Sequence, residues 1–443
     1  MEPTAYLGQL QLNGQSMPIS FSVRLSQAGE VEFEFAEIPL TKESKFLIDN
    51  HYTAKAYFTN YTLTGLSADG KKFSTDDLIF KNLGDSWTSQ SGSLMKPSGV
   101  CSQAKINHKI SEPVELPLIR MRLKDFQNFR QLRRQCKLGT VTVDGTDQAI
   151  AESDTITGYI CIAADSKPAD LSEWRAESEK LLEHIRQLLS FTSGCAVRAP
   201  IMEFFTGDEC EVTTLTQIGQ SLPKLQTVNY MNQQPILNAA VTSFFSPPVN
   251  IRNLYFAIEW FSMDATHNEV RLLNAMTALE NLVASNLDDE RAQILPVKDF
   301  EKIRKTLRQI IKKCTAKWSS AEEQKKSEVV VDLNEKLIDL NRRAIFQKIK
   351  ALAAQWAVPL AGISDEQIKA AKQARDRIIH RGHYYEDDNN GQVDLWEHVT
   401  VARELIVRFL LTVIGYKGKY TTYIAGHNSV DFPPKIGIES VQA

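Results

Sequence analysis

The chain has 443 residues, enough for two or three domains and a sizeable core, so a single small fold is excluded. Charged residues make up 24% and hydrophobic ones 43%, the balance of a globular protein. A formal net charge of -3 gives no chain-wide attraction to nucleic acid, so any such contact must rest on local patches.

The first residues, Met1-Glu2-Pro3-Thr4, lack the basic start and apolar stretch of a signal peptide. No run approaches the roughly 18 apolar residues of a membrane span. A cytoplasmic location without membrane association is expected. Cys101, Cys136, Cys161, Cys195, Cys210 and Cys314 contain no Cys-x2-Cys pair, so neither a zinc ribbon nor a disulfide framework is supported. They are expected to be reduced and structural.

Residues 1 to about 165 read as β-rich. Phe21-Ser22-Val23-Arg24-Leu25 and Val31-Glu32-Phe33-Glu34-Phe35 alternate with period two around the turn Gln27-Ala28-Gly29-Glu30, which predicts a hairpin. A second pair is expected around Ser67-Ala68-Asp69-Gly70. Strand signals return in Gly139–Val143 and Thr157–Ile162. Short turn-separated strands imply antiparallel packing in a sandwich or open barrel. No catalytic constellation stands out there, so binding or sensing is the expected role.

Asp170 to Phe191 predicts a helix stopped at Gly194. A mixed stretch with strand-like Ile201–Phe205 follows, and Ser246-Pro247-Pro248 marks a boundary because paired prolines break regular structure. Beyond it Leu272, Ala275, Met276, Leu279, Leu282 and Val283 recur with a helical period. So do Leu395, Val399, Ala402, Leu405, Ile406, Phe409, Leu410 and Val413. Ser320 with Glu323 and Asp394 with Glu397 supply capping boxes, and five or six helices are expected over 250–417. Glu280 reads as an exposed helix residue, with an acid standing behind a site as the alternative. The chain is therefore expected to be α+β in three segments: a β-rich domain over 1–165, a linking helix and mixed subdomain over 166–248, and a helical bundle over 249–443.

Glu301 to Lys317 carries Lys302, Arg304, Lys305, Arg308, Lys312, Lys313 and Lys317 against one acid. A solvated helix face is the ordinary meaning, and RNA backbone contact the alternative.

The densest chemistry lies in Ala374-Arg375-Asp376-Arg377-Ile378-Ile379-His380-Arg381-Gly382. Ser364 and Gln367 form a capping box and Gly382 a left-handed stop, so one helix of about five turns carries the motif. Arginine offers phosphate a permanently charged fork of donors, and histidine exchanges a proton near neutrality, a pairing suited to RNA cleavage without a metal. Asp376 and His380, four apart, share a face, so the carboxylate is placed to orient the imidazole. Arg375 lies about 140° around the helix from His380, so the two converge only if the arginine reaches or the last turn opens. Basic residues in a last turn also complement the helix dipole, which is the competing reading. Arg377 with His383 makes an overlapping Arg-x5-His pair, leaving the choice of histidine open. His380, His383, Glu386, Asp387 and Asp388 form a rival metal cluster, although the acids read more simply as a polar loop. His398 is expected on the polar face of the last helix.

Arg375-Asp376-x-x-x-His380 resembles the Arg-x4-6-His signature of HEPN-domain ribonucleases, in which a polar residue follows the arginine. The β-rich half, beginning Tyr6-Leu7-Gly8-Gln9-Leu10, followed by a helical half ending in this motif, is similar to the ApeA-like anti-phage defence branch. The resemblance implies a HEPN-like bundle, metal-independent endoribonuclease activity without a cofactor, and a composite site in a homodimer. Arg375, Asp376 and His380 would be catalytic, and Arg377, Arg381 and His383 would bind substrate. RNA, by family analogy a tRNA anticodon loop, would be the target in abortive infection, with a phage-derived trigger sensed by the β-rich half.

Overall fold

The computed structural model describes residues 3–39, 60–88, 92–148, 155–219, 225–317, 323–385 and 394–434, with scattered residues between 41 and 49. The chain divides into two compact units, Met1–Phe245 and Ser246–Ala443.

The first unit opens with β1 (Thr4–Leu12), β2 (Gln15–Leu25), β3 (Val31–Phe35) and the two-residue β4 (Ile38–Pro39). It continues with β5 (Tyr61–Ser67), β6 (Lys72–Asn82), β7 (Asp85–Thr88), β8 (Gly92–Met95) and β9 (Ser98–Cys101). Six of these close on themselves: β1 pairs with β2 and β5, β2 with β3, β3 with β9, β9 with β6, and β6 with β5. The expected sandwich or open barrel is thus a closed antiparallel barrel. Its closing strand is four residues long, too short for alternation to reveal.

Alternation on β2 turns Met17, Ile19, Phe21, Val23 and Leu25 inward. Tyr6, Phe21, Phe33, Phe35 and Phe73 meet them in an aromatic cluster with ring centroids 5.4–6.2 Å apart. Gly65 makes room for it, since a Cβ there would stand 2.6 Å from Phe21 Cζ. Both expected hairpins are present, β2 pairing with β3 from Leu25↔Val31 and β5 with β6 around a turn whose Gly70 has φ +83°.

A 22-residue strand, β10 (Gln103–Lys124), leaves the barrel by pairing with β6 through Lys105–Asn107. Further along it meets β13 (Gly158–Ala163), which continues to β12 (Gly139–Gly145) and β11 (Leu132–Cys136). β14 (Arg198–Leu215) runs beside β10 for almost its whole length. The ladder shifts register between Lys109, Val114 and Leu118, the stretch that holds Pro113 and Pro117. Proline has no N–H for the ladder, which is why bulges fall there and why the sequence does not read as one strand.

Helix α1 (Leu171–Ser193) starts at Asp170, whose side chain accepts from Ser172 and Glu173 N–H, and stops at Gly194 with φ +68°. Helix α2 (Gln234–Phe245) ends the unit. The Gln234 side chain donates to Arg133 O (3.1 Å) and accepts from Arg133 N (3.3 Å) on β11.

The second unit contains α3 (Leu254–Ser262), α4 (Asn268–Asn286), the single turn α5 (Asp289–Ala292) and α6 (Val297–Ala316). After these come α7 (Glu323–Asp339), α8 (Ile345–Trp356), α9 (Asp365–Arg381) and α10 (Leu395–Val413). That is eight helices among the described residues rather than five or six, because α3 and α5 are too short to show a period. The unit is not purely helical either, since β15 (Gly418–Thr422) and β16 (Asn428–Phe432) form a terminal hairpin.

Helix α10 is buried on nearly every side. Its charges are paired: Glu404 accepts from Arg408 Nε (2.8 Å), Tyr420 OH (2.5 Å) and Thr422 Oγ1 (2.9 Å). Arg408 Nη1 also donates to Pro359 O and Ala361 O. His398 is likewise buried, at 8% exposure, and not on a polar face. All six cysteines are free, with Cys101, Cys195 and Cys210 buried and Cys314 exposed. Among the described residues no helix is long and apolar enough to cross a membrane.

Candidate functional site

Helix α9 forms as its ends dictate. Ser364 Oγ accepts from Gln367 N (3.2 Å), Gln367 Oε1 accepts from Ser364 N (2.8 Å), and Gly382 closes the helix at φ +81°. Ile368, Ala371, Ala374 and Ile378 make the buried stripe, leaving the motif residues on its flanks. The helix stays regular through Arg381, with Gly382 N donating to Ile378 O at 2.8 Å. The last turn therefore does not open, and Arg375 and His380 keep the angular separation of a straight helix, about 7.5 Å apart along the axis.

Arg375 turns to α4. Its Nη2 donates to Glu280 Oε2 at 2.8 Å and its Nη1 to Asp376 Oδ1 at 3.3 Å, while the buried Nε has no partner among the described residues. Glu280 is thus half-buried in a cross-helix ion pair, not an exposed helix residue. Burial raises its carboxyl above the usual range, and Asp376 nearby adds to the shift while Arg375 opposes it. Asp376 moves the other way: partial burial works against its charge, but the bonds and charges of Lys372 and Arg375 outweigh that and hold it below the usual range. Two neighbouring carboxylates are thereby driven apart, with Glu280 the readier to take a proton.

The expected Asp376 to His380 contact is absent, since Asp376 bonds Lys372 and Arg375 instead. His380 is exposed and makes no hydrogen bond among the described residues. Arg381 and His383 are exposed beyond it, at the end of the helix. His383 Nδ1 lies 2.5 Å from Tyr385 O, and a carbonyl only accepts, so Nδ1 carries a proton there. Arg377 stacks over the Tyr384 ring at 5.4 Å, and Tyr384 OH meets His398 Nε2 at 3.1 Å. Burial lowers the proton affinity of His398, which therefore serves Tyr384 as a neutral partner.

Sequence reasoning missed Lys372, Tyr384 and His398 in this arrangement. The four-residue spacing of Lys372 and Asp376 was a readable signal. The Arg375–Glu280 pair joins residues 95 apart and had none. Of the rival metal cluster, Glu386, Asp387 and Asp388 lie outside the described residues, and among those described no group of three or more His, Cys, Asp or Glu side chains gathers. Ser320 of the expected capping box lies outside them too. On α6, Lys298, Lys302, Lys305, Lys312 and Lys313 are exposed and fall within about 100° of the helix circumference. Arg304 instead turns partly inward, to Glu301 at 2.7 Å.

No family model matches the chain, and neither a curated protein nor a solved structure shows significant similarity to it.

Proposed function

We infer that this chain is a metal-independent endoribonuclease with a HEPN-like helical domain. The observation that carries the reading is an exposed imidazole at His380, free of hydrogen bonds among the described residues, one turn beyond a carboxylate–arginine–carboxylate chain. RNA supplies the nucleophile: the 2′-hydroxyl attacks the adjacent phosphorus, and the P–O5′ bond breaks to leave a 2′,3′-cyclic phosphate and a 5′-hydroxyl. His380 moves the proton, Arg375 offsets charge on the phosphorane-like transition state, and Asp376 positions Arg375. Arg377, Arg381 and His383 hold the substrate backbone.

One helix offers one exposed histidine for a reaction that needs a proton acceptor and a proton donor. Two copies facing across a two-fold axis supply both, so the working form is a homodimer or a higher even oligomer. Single-stranded loops suit in-line attack, and a tRNA anticodon loop is the target that family resemblance favours. The same resemblance supports a role in anti-phage abortive infection inside the cytoplasm, with a phage-derived trigger acting on the barrel-containing unit.

A second reading has its own support. Arg375 is engaged by two carboxylates, which suits a non-catalytic HEPN-type module that binds RNA or a nucleotide. Cleavage of a tRNA pool in EDTA separates the two. Cyclic-phosphate ends produced by the wild type and abolished by His380→Ala are expected from the nuclease. RNA binding without cleavage, in the presence and absence of infected-cell extract, would sink it in favour of the module.

A further inference from the structure

The first unit holds a cavity of ≈ 650 Å³ at one end of the barrel, where the β10–β14 ribbon passes over the ends of β1 and β2. Its floor is apolar, made by Tyr6, Val23, Leu25, Ile106, Ile201 and Val212. A volume of this size is in the range of small-molecule sites.

Of the polar groups on the wall, Lys71, His108 and Arg122 are basic and Glu203 alone is acidic. Arg122 lines the cavity beside Glu203, to which it donates from Nε (2.8 Å) and Nη2 (3.3 Å). Arg120 Nε bonds the same carboxylate at 2.5 Å. Two guanidinium groups thus share one carboxylate, leaving a net positive charge in a half-buried setting, and Arg122 Nη1 makes no hydrogen bond among the described residues. Glu203 is held below the usual carboxylate range: burial pushes it up, but the two arginines outweigh burial, so it stays ionised without cancelling both. His108 adds a further donor, and so does Lys71, whose Nζ spends one of its three protons on Asp69 at 2.9 Å. Burial, with Asp69 adding to it, pushes the Tyr6 hydroxyl up to about 12, so it remains a neutral donor at the floor.

We propose that this barrel mouth is a binding site for a small anionic amphiphile, its carboxylate or phosphate on Arg122 and Lys71 and its apolar body on Val23, Leu25, Ile106 and Val212. The site is independent of the ribonuclease reading, because every lining residue lies in the first unit. An apolar floor alone would take any greasy molecule. The unmatched guanidinium charge selects the anion, since it has a fork of donors to satisfy and no second carboxylate within the wall to satisfy it.

The test uses the full chain and the probe 8-anilinonaphthalene-1-sulfonate, followed by fluorescence titration. One saturable site is expected, with the probe displaced by octanoate but not by equal 1-octanol. Arg122→Gln should weaken probe binding at least fivefold, and Val212→Trp, which fills the mouth, should abolish it. Should Val212→Trp lose its near-ultraviolet circular dichroism, Lys71→Met, at a half-buried rim position, takes its place with an expected loss of at least twofold. Non-saturable binding, or unchanged affinity in the folded variants, would overturn the site. Equal displacement by 1-octanol would overturn its selectivity for an anion.

Discussion

Glu280 on α4 accepts a 2.8 Å hydrogen bond from Arg375 on α9, tying the motif arginine to a different helix from the one that carries the motif histidine. The pair is half-buried, so its geometry is set by packing as well as charge. Glu280→Gln keeps the shape and one acceptor but removes the charge. Under the nuclease reading it should lower kcat by about tenfold with little change in KM, because Arg375 loses its fixed aim. Arg375→Ala should cost about 10²-fold or more. Steady-state cleavage of a fluorescent single-stranded RNA measures both, and an unaltered kcat in Arg375→Ala would rule the arginine out of the chemistry.

If the site needs a histidine from each of two copies, an inactive copy poisons an active one. Mixing wild type with His380→Ala at constant total protein, after exchange of subunits, should reduce activity as the square of the wild-type fraction. A linear decline would mean that each copy works alone.

The lysine face of α6 makes a prediction about salt. Lys302→Gln, Lys305→Gln and Lys312→Gln together should weaken single-stranded RNA binding and flatten the dependence of log K on log salt by about 2, if all three meet phosphates. Fluorescence anisotropy across a salt series reads the slope. An unchanged slope would leave this face as solvated surface.

His184 on α1 is buried, bonds Ser243 Oγ at 3.2 Å, and is pushed down to about 4, chiefly by burial. Its folded-state affinity for protons is below that of the unfolded chain, so the unfolded state binds the proton first as pH falls. Stability should therefore be complete above the ordinary histidine range and decline between about 6.5 and 4, by about 3 kcal/mol at most. Comparing denaturant unfolding of wild type and His184→Gln at pH 7 and pH 4.5 isolates this contribution. An identical pH slope in the two proteins would refute it.

Arg408→Leu should destabilise the second unit by about 3–5 kcal/mol, since it leaves the Glu404 carboxylate buried with only two hydroxyl donors. A melting temperature within a degree or two of wild type would contradict the pairing.

Local patterns were legible where the chain's own neighbours determine them. The hairpins at Gln27–Glu30 and Ser67–Gly70, the Asp170 and Gly194 ends of α1 and the Ser364–Gln367 box follow from residues at most a few positions apart. Closure of the barrel was not, because β9 contributes four residues and its partners β3 and β6 are remote in sequence. The burial of His398 follows from neighbours on every side of α10, which periodicity along one helix does not report. At the candidate site the motif residues were visible, whereas the acid that holds Arg375 came from another helix and had to be seen in space.

The bond between Gln234 and Arg133 bears on the edge of the large sheet. The barrel closes its own ladder, so the open margin of the large sheet at β11 is a place where another chain could add a strand. There a single carboxamide presents its N–H and C=O to the main chain of Arg133 much as a neighbouring peptide group would. The exposed side chains of Arg133 and Arg134 set like charges against any second copy approaching that margin. Addition of a strand from a second copy is thereby discouraged at this margin.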